Sequence, residues 1–233
     1  MNLLGLETAT SAAGVALSRN QAEITELIAT TERRHTETLF DAVRSLLAEE
    51  HLAVADLDGI VVDIGPGLFT GLRVGVTAAR SLAAAAGKEL FVVTSLEVLA
   101  SDRATPEEGS VVAIVDARRG EVFVECFAGT RLHRQSLGSP EIRRPEELSA
   151  LLDGLPGDVT VVGDGALRYA DALGSRARSG IVDSVSFPSP AVALEMVIAQ
   201  ERGPTALEEV LPLYLRDPDA VANFSVARGR GSS

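Results

Sequence analysis

The spacing of apolar positions changes along the chain, and each change marks an element. Residues 2–8 are apolar up to Glu7-Thr8, and 13–18 and 23–30 follow after short polar turns, which predicts three strands. The period then lengthens. Leu39, Val43, Leu46 and Leu47 recur at helical intervals and predict an amphipathic helix over about 36–50. Residues 60–64 (Ile-Val-Val-Asp-Ile) read as a short buried strand, stopped by Gly65-Pro66-Gly67. An alanine-rich helix is predicted over 70–86 with Thr70 as its cap, then a strand at 90–93 and a short helix capped by Ser95.

The same order returns more loosely in the second half. Strands are predicted at 111–116 and 121–127 around the turn Arg118-Arg119-Gly120, followed by a poorly patterned stretch at 130–144. A helix near 145–153, a strand at 159–163, a helix at 166–173, a short strand at 181–183 and a helix from Pro190 to about 201 complete it. Two successions of strands, then alternating helices and strands, predict a duplicated α/β fold with two lobes. The lobes are expected at 1–103 and 104–216, divided in the polar 101–110 stretch, with a polar tail at 217–233.

Composition narrows the function classes. The 233 residues hold 21 Lys plus Arg against 33 Asp plus Glu, a net charge of −12, which weakens the case for a lone nucleic-acid binder. One cysteine, Cys126, excludes a disulfide framework and fits a reducing, cytoplasmic setting. No uncharged run reaches a dozen residues and the N-terminus has no basic start, so neither a membrane span nor a signal peptide is expected.

Four stretches carry candidate chemistry. Glu7, Thr8 and Thr10 form a strand-end hairpin, and Asp116 ends the corresponding strand of the second half. Facing acidic hairpins can hold a nucleotide phosphate and its magnesium, although hydroxyls at such turns commonly satisfy backbone groups. The loop Gly65, Pro66, Gly67, Leu68, Phe69, Thr70, Gly71 joins a strand to a helix but lacks the lysine and spacing of a P-loop. In the helix that follows, Gly71, Gly75 and Ala79 leave one face almost without side chains, which allows close approach of the 36–50 helix or of another subunit, with Arg73 and Arg80 flanking. His35 has Leu39 four residues on, so the second ligand of a helical metal site is missing, and His51 and His133 complete no site. Gly163-Asp164-Gly165 reads first as a turn.

Together, Leu4 to Thr10, the loop from Gly65 to Gly75, Thr94-Ser95-Leu96-Glu97, and Asp116 to Val122 resemble the TsaB (YeaZ) family of bacterial tRNA threonylcarbamoyladenosine biosynthesis proteins. The likeness runs in order through nearly the whole chain to Pro212-Leu213-Tyr214-Leu215-Arg216. It implies the duplicated fold shared by actin, Hsp70 and sugar kinases, also called ASKHA or ribonuclease H-like. It also implies a non-catalytic subunit that binds a TsaD-like catalytic subunit through the first two helices. A TsaE-like ATPase joins, and the complex uses ATP and magnesium to add threonylcarbamoyl to N6 of adenosine 37 in tRNAs reading codons that begin with A.

On that resemblance the partner interface is expected at Leu39, Val43, Leu46, Leu72, Arg73, Gly75, Val76 and Ala79. No catalytic residue, metal site or cofactor is expected on this chain alone. It is expected to form a homodimer when unpartnered and to leave tRNA mainly to its partners. The chain departs from the pattern at Glu7, where an Asp is usual, and at Leu68, where many members carry Ser. Two rival readings remain: an ATPase or phosphotransferase using Glu7 and Asp116 for magnesium, and a metallopeptidase.

Overall fold

The computed structural model describes residues 1–30, 35–174 and 180–216, without the side chains of residues 30 and 35–38. The polar tail at 217–233, with Arg228 and Arg230, lies outside the described residues, as does the His35 side chain.

The first lobe is a five-stranded sheet in the order β3-β2-β1-β4-β5. Its strands are β1 (Leu3–Glu7), β2 (Ala12–Arg19), β3 (Glu23–Thr30), β4 (Gly59–Asp63) and β5 (Glu89–Val93). β1, β2 and β3 are an antiparallel meander, whereas β4 lies parallel to β1 and β5 parallel to β4. The change from antiparallel to parallel follows from the connections. Short turns can only reverse the chain, while helices α1 (His35–Glu49) and α2 (Phe69–Ala86) carry it back to start each parallel strand.

Alternation along β1 splits the core in two. Leu4 and Leu6 face α1 and α2, packing with Leu39, Val43, Leu46 and Val76. Leu3 faces the other way, toward Leu194, Met196 and Val197.

The second lobe repeats this plan in reduced form. Its sheet runs β10-β6-β7-β8, with β6 (Ser110–Arg118), β7 (Glu121–Ala128), β8 (Gln135–Ser136) and β10 (Val159–Val162). β6 pairs antiparallel with β7 and parallel with β10, as β1 does with β2 and β4. The place of β3 is taken by two fragments on β7, namely β8 and β9 (Glu141–Arg143). These fragments account for the weak pattern at 130–144: two- and three-residue strands are too short to show alternation. Helix α3 (Ser95–Ala100) covers one face of this sheet, while α4 (Leu148–Asp153) and α5 (Asp164–Arg168) cover the other.

The lobe assignment needs one adjustment. Helix α6 (Pro190–Ala199), which falls in the second lobe by chain position, packs on the first sheet. The segment beyond it follows the same lobe: the Thr205 N–H donates to the Leu90 carbonyl and the Leu213 N–H to the Ile64 carbonyl.

The junction is fastened by Arg134, whose residue is only 9% exposed. Its guanidinium donates to the carbonyls of Ala100 (2.8 Å), Pro106 (2.5 Å), Gly109 (2.8 Å) and Gly129 (3.1 Å). Burial pushes its pKa down, and the four carbonyl dipoles take the place of water. Among the described residues no helix is long and apolar enough to cross a membrane.

Candidate functional site

The Glu7 carboxyl lies at the end of β1, beside Asp63 at the end of the neighbouring parallel strand β4. Both residues are 2% exposed. Glu7 Oε1 accepts the Ala9 N–H at 2.6 Å. Asp63 Oδ1 accepts the Gly65 N–H at 2.7 Å and the Ser95 hydroxyl at 2.9 Å, whereas Asp63 Oδ2 has no other protein donor. Burial, with the adjacent Asp63 charge adding to it, holds the Glu7 pKa well above the ordinary carboxylate range. Burial also raises Asp63. A Glu7 proton donated to Asp63 answers both facts: it supplies the missing donor and removes one of two like charges. The two carboxyls form an acid pair sealed from solvent.

The loop after β4 closes over the hairpin. The Leu68 N–H donates to the Ala9 carbonyl at 2.6 Å. At Gly67 an added Cβ would lie 2.1 Å from that carbonyl oxygen, so only glycine permits the approach. The Gly65–Pro66 peptide is cis. Thr70 is exposed inside α2, and Leu68 holds the cap position without a side-chain bond, so the expected Thr70 cap is corrected: the Ala9 carbonyl satisfies the first free amide instead. The expected Ser95 cap also moves by one residue. Thr94 caps α3 in a capping box with Glu97, and the Ser95 hydroxyl is spent on Asp63. The candidate hairpin hydroxyls point inward: Thr8 Oγ1 donates to the Gly71 carbonyl at 2.8 Å, and Thr10 is buried.

At Gly71 and Gly75 the small-residue stripe meets this hairpin, while Ala79 lies in the core shared with the α1 residues Leu39, Val43 and Leu46. A Cβ at Gly75 would lie 2.4 Å from Thr8 Oγ1. Gly71, Gly75 and Ala79 are buried within the chain, as are Leu72 and Val76. Leu39, Val43 and Leu46 lie in the core beneath α1. Of the residues expected at an interface, Leu39, Leu46, Leu72, Gly75, Val76 and Ala79 are therefore occupied by the chain's own packing, and their periodicity reports the core; Val43, also in that core, in addition borders the outer groove beside Phe40. A Gly75→Leu substitution is accordingly expected to lower the melting temperature of the isolated chain by several degrees, read by differential scanning calorimetry, because the Thr8 hairpin must shift.

What α1 and α2 offer outward is different. Phe40 is 41% exposed. It borders a groove of about 500 Å³ whose apolar walls include Val43, Leu47, Leu52, Val54 and Leu82. Arg73 is exposed but engaged: its guanidinium stacks 4.0 Å from the Phe69 ring centre and donates to the Tyr214 hydroxyl at 3.1 Å.

In the second lobe Asp116 is buried and held by arginines. Its Oδ1 accepts the Arg118 N–H at 2.9 Å, while its Oδ2 pairs with the guanidinium groups of Arg118 (3.2 Å) and Arg168 (3.4 Å). Gly163-Asp164-Gly165 forms the turn into α5, packed on the Ile114 backbone, and Asp164 Oδ1 accepts the Asp116 N–H. The two acidic candidates, Glu7 and Asp116, thus have different partners, and among the described residues no three His, Cys, Asp or Glu side chains gather to hold a metal ion. Cys126 is half-buried, with its thiol pushed up to about 11 by burial, which keeps it out of the reactive thiolate form.

Sequence reasoning missed Asp63, Phe40 and Arg168. Asp63 carried one signal: it ends a buried strand as Glu7 does. Phe40 and Arg168 look like ordinary helix residues until the fold places them.

Comparison with known proteins agrees with this architecture. Residues 24–173 match the family model described as TsaD, tRNA N6-adenosine threonylcarbamoyltransferase. The chain is 31% identical to the tRNA threonylcarbamoyladenosine biosynthesis protein TsaB of Bacillus subtilis, over 96% of this chain and 98% of that protein. It superposes on YeaZ from Pseudomonas aeruginosa with a TM-score of 0.79 at 30% identity, covering 92% of this chain and 99% of that one. A ROK family protein from Streptococcus pneumoniae shares the fold at 9% identity, with a TM-score of 0.50 over 86% of this chain and 99% of that one.

Proposed function

The chain belongs to the TsaB (YeaZ) family of tRNA threonylcarbamoyladenosine biosynthesis proteins, and from that premise we propose that it is a non-catalytic subunit in this tRNA modification. It acts by docking the outer surface of α1 and α2 on a TsaD-like catalytic subunit, with a TsaE-like ATPase completing the assembly. The complex uses ATP and magnesium; this chain supplies neither metal ligands nor a nucleophile. Without its partner, the same surface pairs with a second copy. Work in the cytoplasm, where tRNA is modified, goes with this role.

The observation that carries the reading is the sealed hairpin. Facing acidic hairpins can hold a phosphate and its magnesium when they are open. Here the first is covered by the 65–68 loop, and its acid is occupied by Asp63. The second has its carboxylate neutralised by arginines. The groove beside Phe40 supplies what docking needs: an exposed aromatic anchor next to an apolar hollow. A stable interface of this kind buries about 1,600 Å² in total.

The test is co-purification with the TsaD-like subunit. Phe40→Asp is expected to weaken the complex at least tenfold while the isolated chain keeps its melting temperature, since the ring is exposed. Unchanged affinity in that variant would move the interface elsewhere. Retention of threonylcarbamoyladenosine in cells lacking the chain would remove the proposed role altogether.

A further inference from the structure

We infer that Arg73 and Arg80, on the outer face of α2, are receptors for two carboxylates on the surface of the catalytic partner. The inference rests on the docking proposed above and names the chemistry that the docking surface selects.

Helix α2 carries two charged residues, Arg73 and Arg80, and no acid. They stand seven residues apart, almost two turns, so both lie on one side of the helix about 10 Å from each other. Arg73 is exposed, Arg80 is half-buried, and Thr77 between them is exposed. No carboxylate among the described residues pairs with either guanidinium, and Arg80 makes no hydrogen bond at all. Glu208 and Glu209, exposed in the segment after α6, bond to neither. Two positive charges therefore stand uncompensated on a chain whose net charge is −12.

Arg73 is also set in place before any partner arrives. Its guanidinium carbon lies 4.0 Å from the Phe69 ring centre, and its Nε donates to the Tyr214 hydroxyl at 3.1 Å. The Phe69 and Tyr214 rings are themselves 5.0 Å apart. These contacts use one donor and leave the Nη1–Nη2 edge without an acceptor among the described residues. That edge fits the two oxygens of a carboxylate, and a guanidinium already fixed loses less freedom on binding one. Phe69 and Tyr214 are thus positioning residues, and they bring the segment after α6 into the docking site.

The arginines border the surface assigned to docking. Leu82 lines the groove beside Phe40 on the α1 side of α2, while Arg73 reaches Tyr214 on the other side. A partner lying across α2 covers both, an apolar centre and a charged border. Carboxylates suit that border better than RNA, because a phosphate backbone calls for a run of cations and α2 offers two. Charges at a border act mainly on the rate of encounter.

The experiment measures association of the full-length chain with the TsaD-like subunit by surface plasmon resonance, at salt between about 50 and 300 mM. Arg80→Gln breaks no contact within the chain, so it tests the charge apart from the fold. It is expected to slow association about threefold at low salt and to flatten the salt dependence. Arg80→Glu is expected to slow it about tenfold, by repelling the facing carboxylate. Arg73→Gln is expected to slow association and speed dissociation. Arg73→Lys restores the first and not the second, because an ammonium keeps the charge without the fork. Tyr214→Phe keeps the ring and removes the acceptor; it is expected to speed dissociation about twofold with association unchanged.

Equal association rates for the natural chain, Arg80→Gln and Arg80→Glu overturn the inference. If Phe40→Asp weakens the complex in the same assay, the docking itself stands and only the carboxylate contact is lost. No complex with the natural chain removes both. An effect of Arg80→Gln confined to self-association, read by sedimentation velocity, assigns the arginines to a second copy and also overturns the inference. Competition by tRNA for the same surface does so too, assigning them to RNA.

Discussion

Arg134→Met is expected to lower unfolding free energy by about 3–5 kcal/mol, which in a chain of this size shifts the melting temperature by roughly 10 °C. The methionine stem fills much the same space, so the loss is one of hydrogen bonds. Four carbonyls, from Ala100, Pro106, Gly109 and Gly129, lose the guanidinium together, and of these Ala100 keeps a second donor in the Thr105 hydroxyl at 3.2 Å. Ala100 is the last residue of α3, where carbonyls have no partner within the helix. Arg134→Lys should recover only part of the loss, because an ammonium has three donors in a tighter cone and cannot span all four oxygens. Thermal unfolding of the three proteins checks this; a methionine variant melting within 2 °C of the natural chain would show that the carbonyls find other donors.

Glu7→Gln is expected to stabilise the chain at neutral and alkaline pH and to flatten its pH dependence. The sign follows from linkage. In the folded chain the Glu7 pKa is raised, so the folded state holds a proton that the unfolded state releases above the ordinary glutamate range. Stability from this group is complete below the unfolded pKa. It falls as pH rises toward the folded one, by up to about 1.4 kcal/mol per pH unit. Asp63 shifts in the same direction, and the two titrate as a pair. The groups facing them are the Ser95 hydroxyl and the amides of Ala9, Thr10 and Gly65, with the Glu97 charge farther off and paired to Arg202. Glutamine keeps both a donor for Asp63 Oδ2 and an acceptor for the Ala9 amide without a charge to lose. Denaturant unfolding between about pH 5 and 9 measures the slope; equal slopes in the two proteins would mean that the proton resides elsewhere.

The long elements were legible because their periods are long enough to count. β1, β2 and β3 stood out as apolar runs between short polar turns, α1 and α2 span several repeats of helical spacing, and the element order led to the duplicated fold. The capping of α3 was legible too: Thr94 and Glu97 stand at capping-box spacing, but the neighbouring Ser95 offered an equally suitable hydroxyl. The site was harder to read. Asp63 meets Glu7 only because β4 pairs in parallel beside β1, across more than fifty intervening residues. The stripe at Gly71, Gly75 and Ala79 correctly signalled close approach, yet spacing cannot say whether the neighbour is another helix or the Thr8 hydroxyl. Likewise, the apolar side of an amphipathic helix looks the same whether it covers its own sheet or a partner. The exposed Phe40 lies outside that stripe, so periodicity passed over it.

The return of α6 to the first sheet has a consequence for synthesis on the ribosome. Leu3, Val61 and Phe91 emerge early, but their cover at Leu194, Met196 and Val197 arrives about a hundred residues later. At roughly 5–20 residues per second the nascent sheet has one oily side bare for about 5–20 s. A gene cut near residue 103 would make that wait permanent, yielding a sticky half-protein suited to chaperone capture, not an independent module.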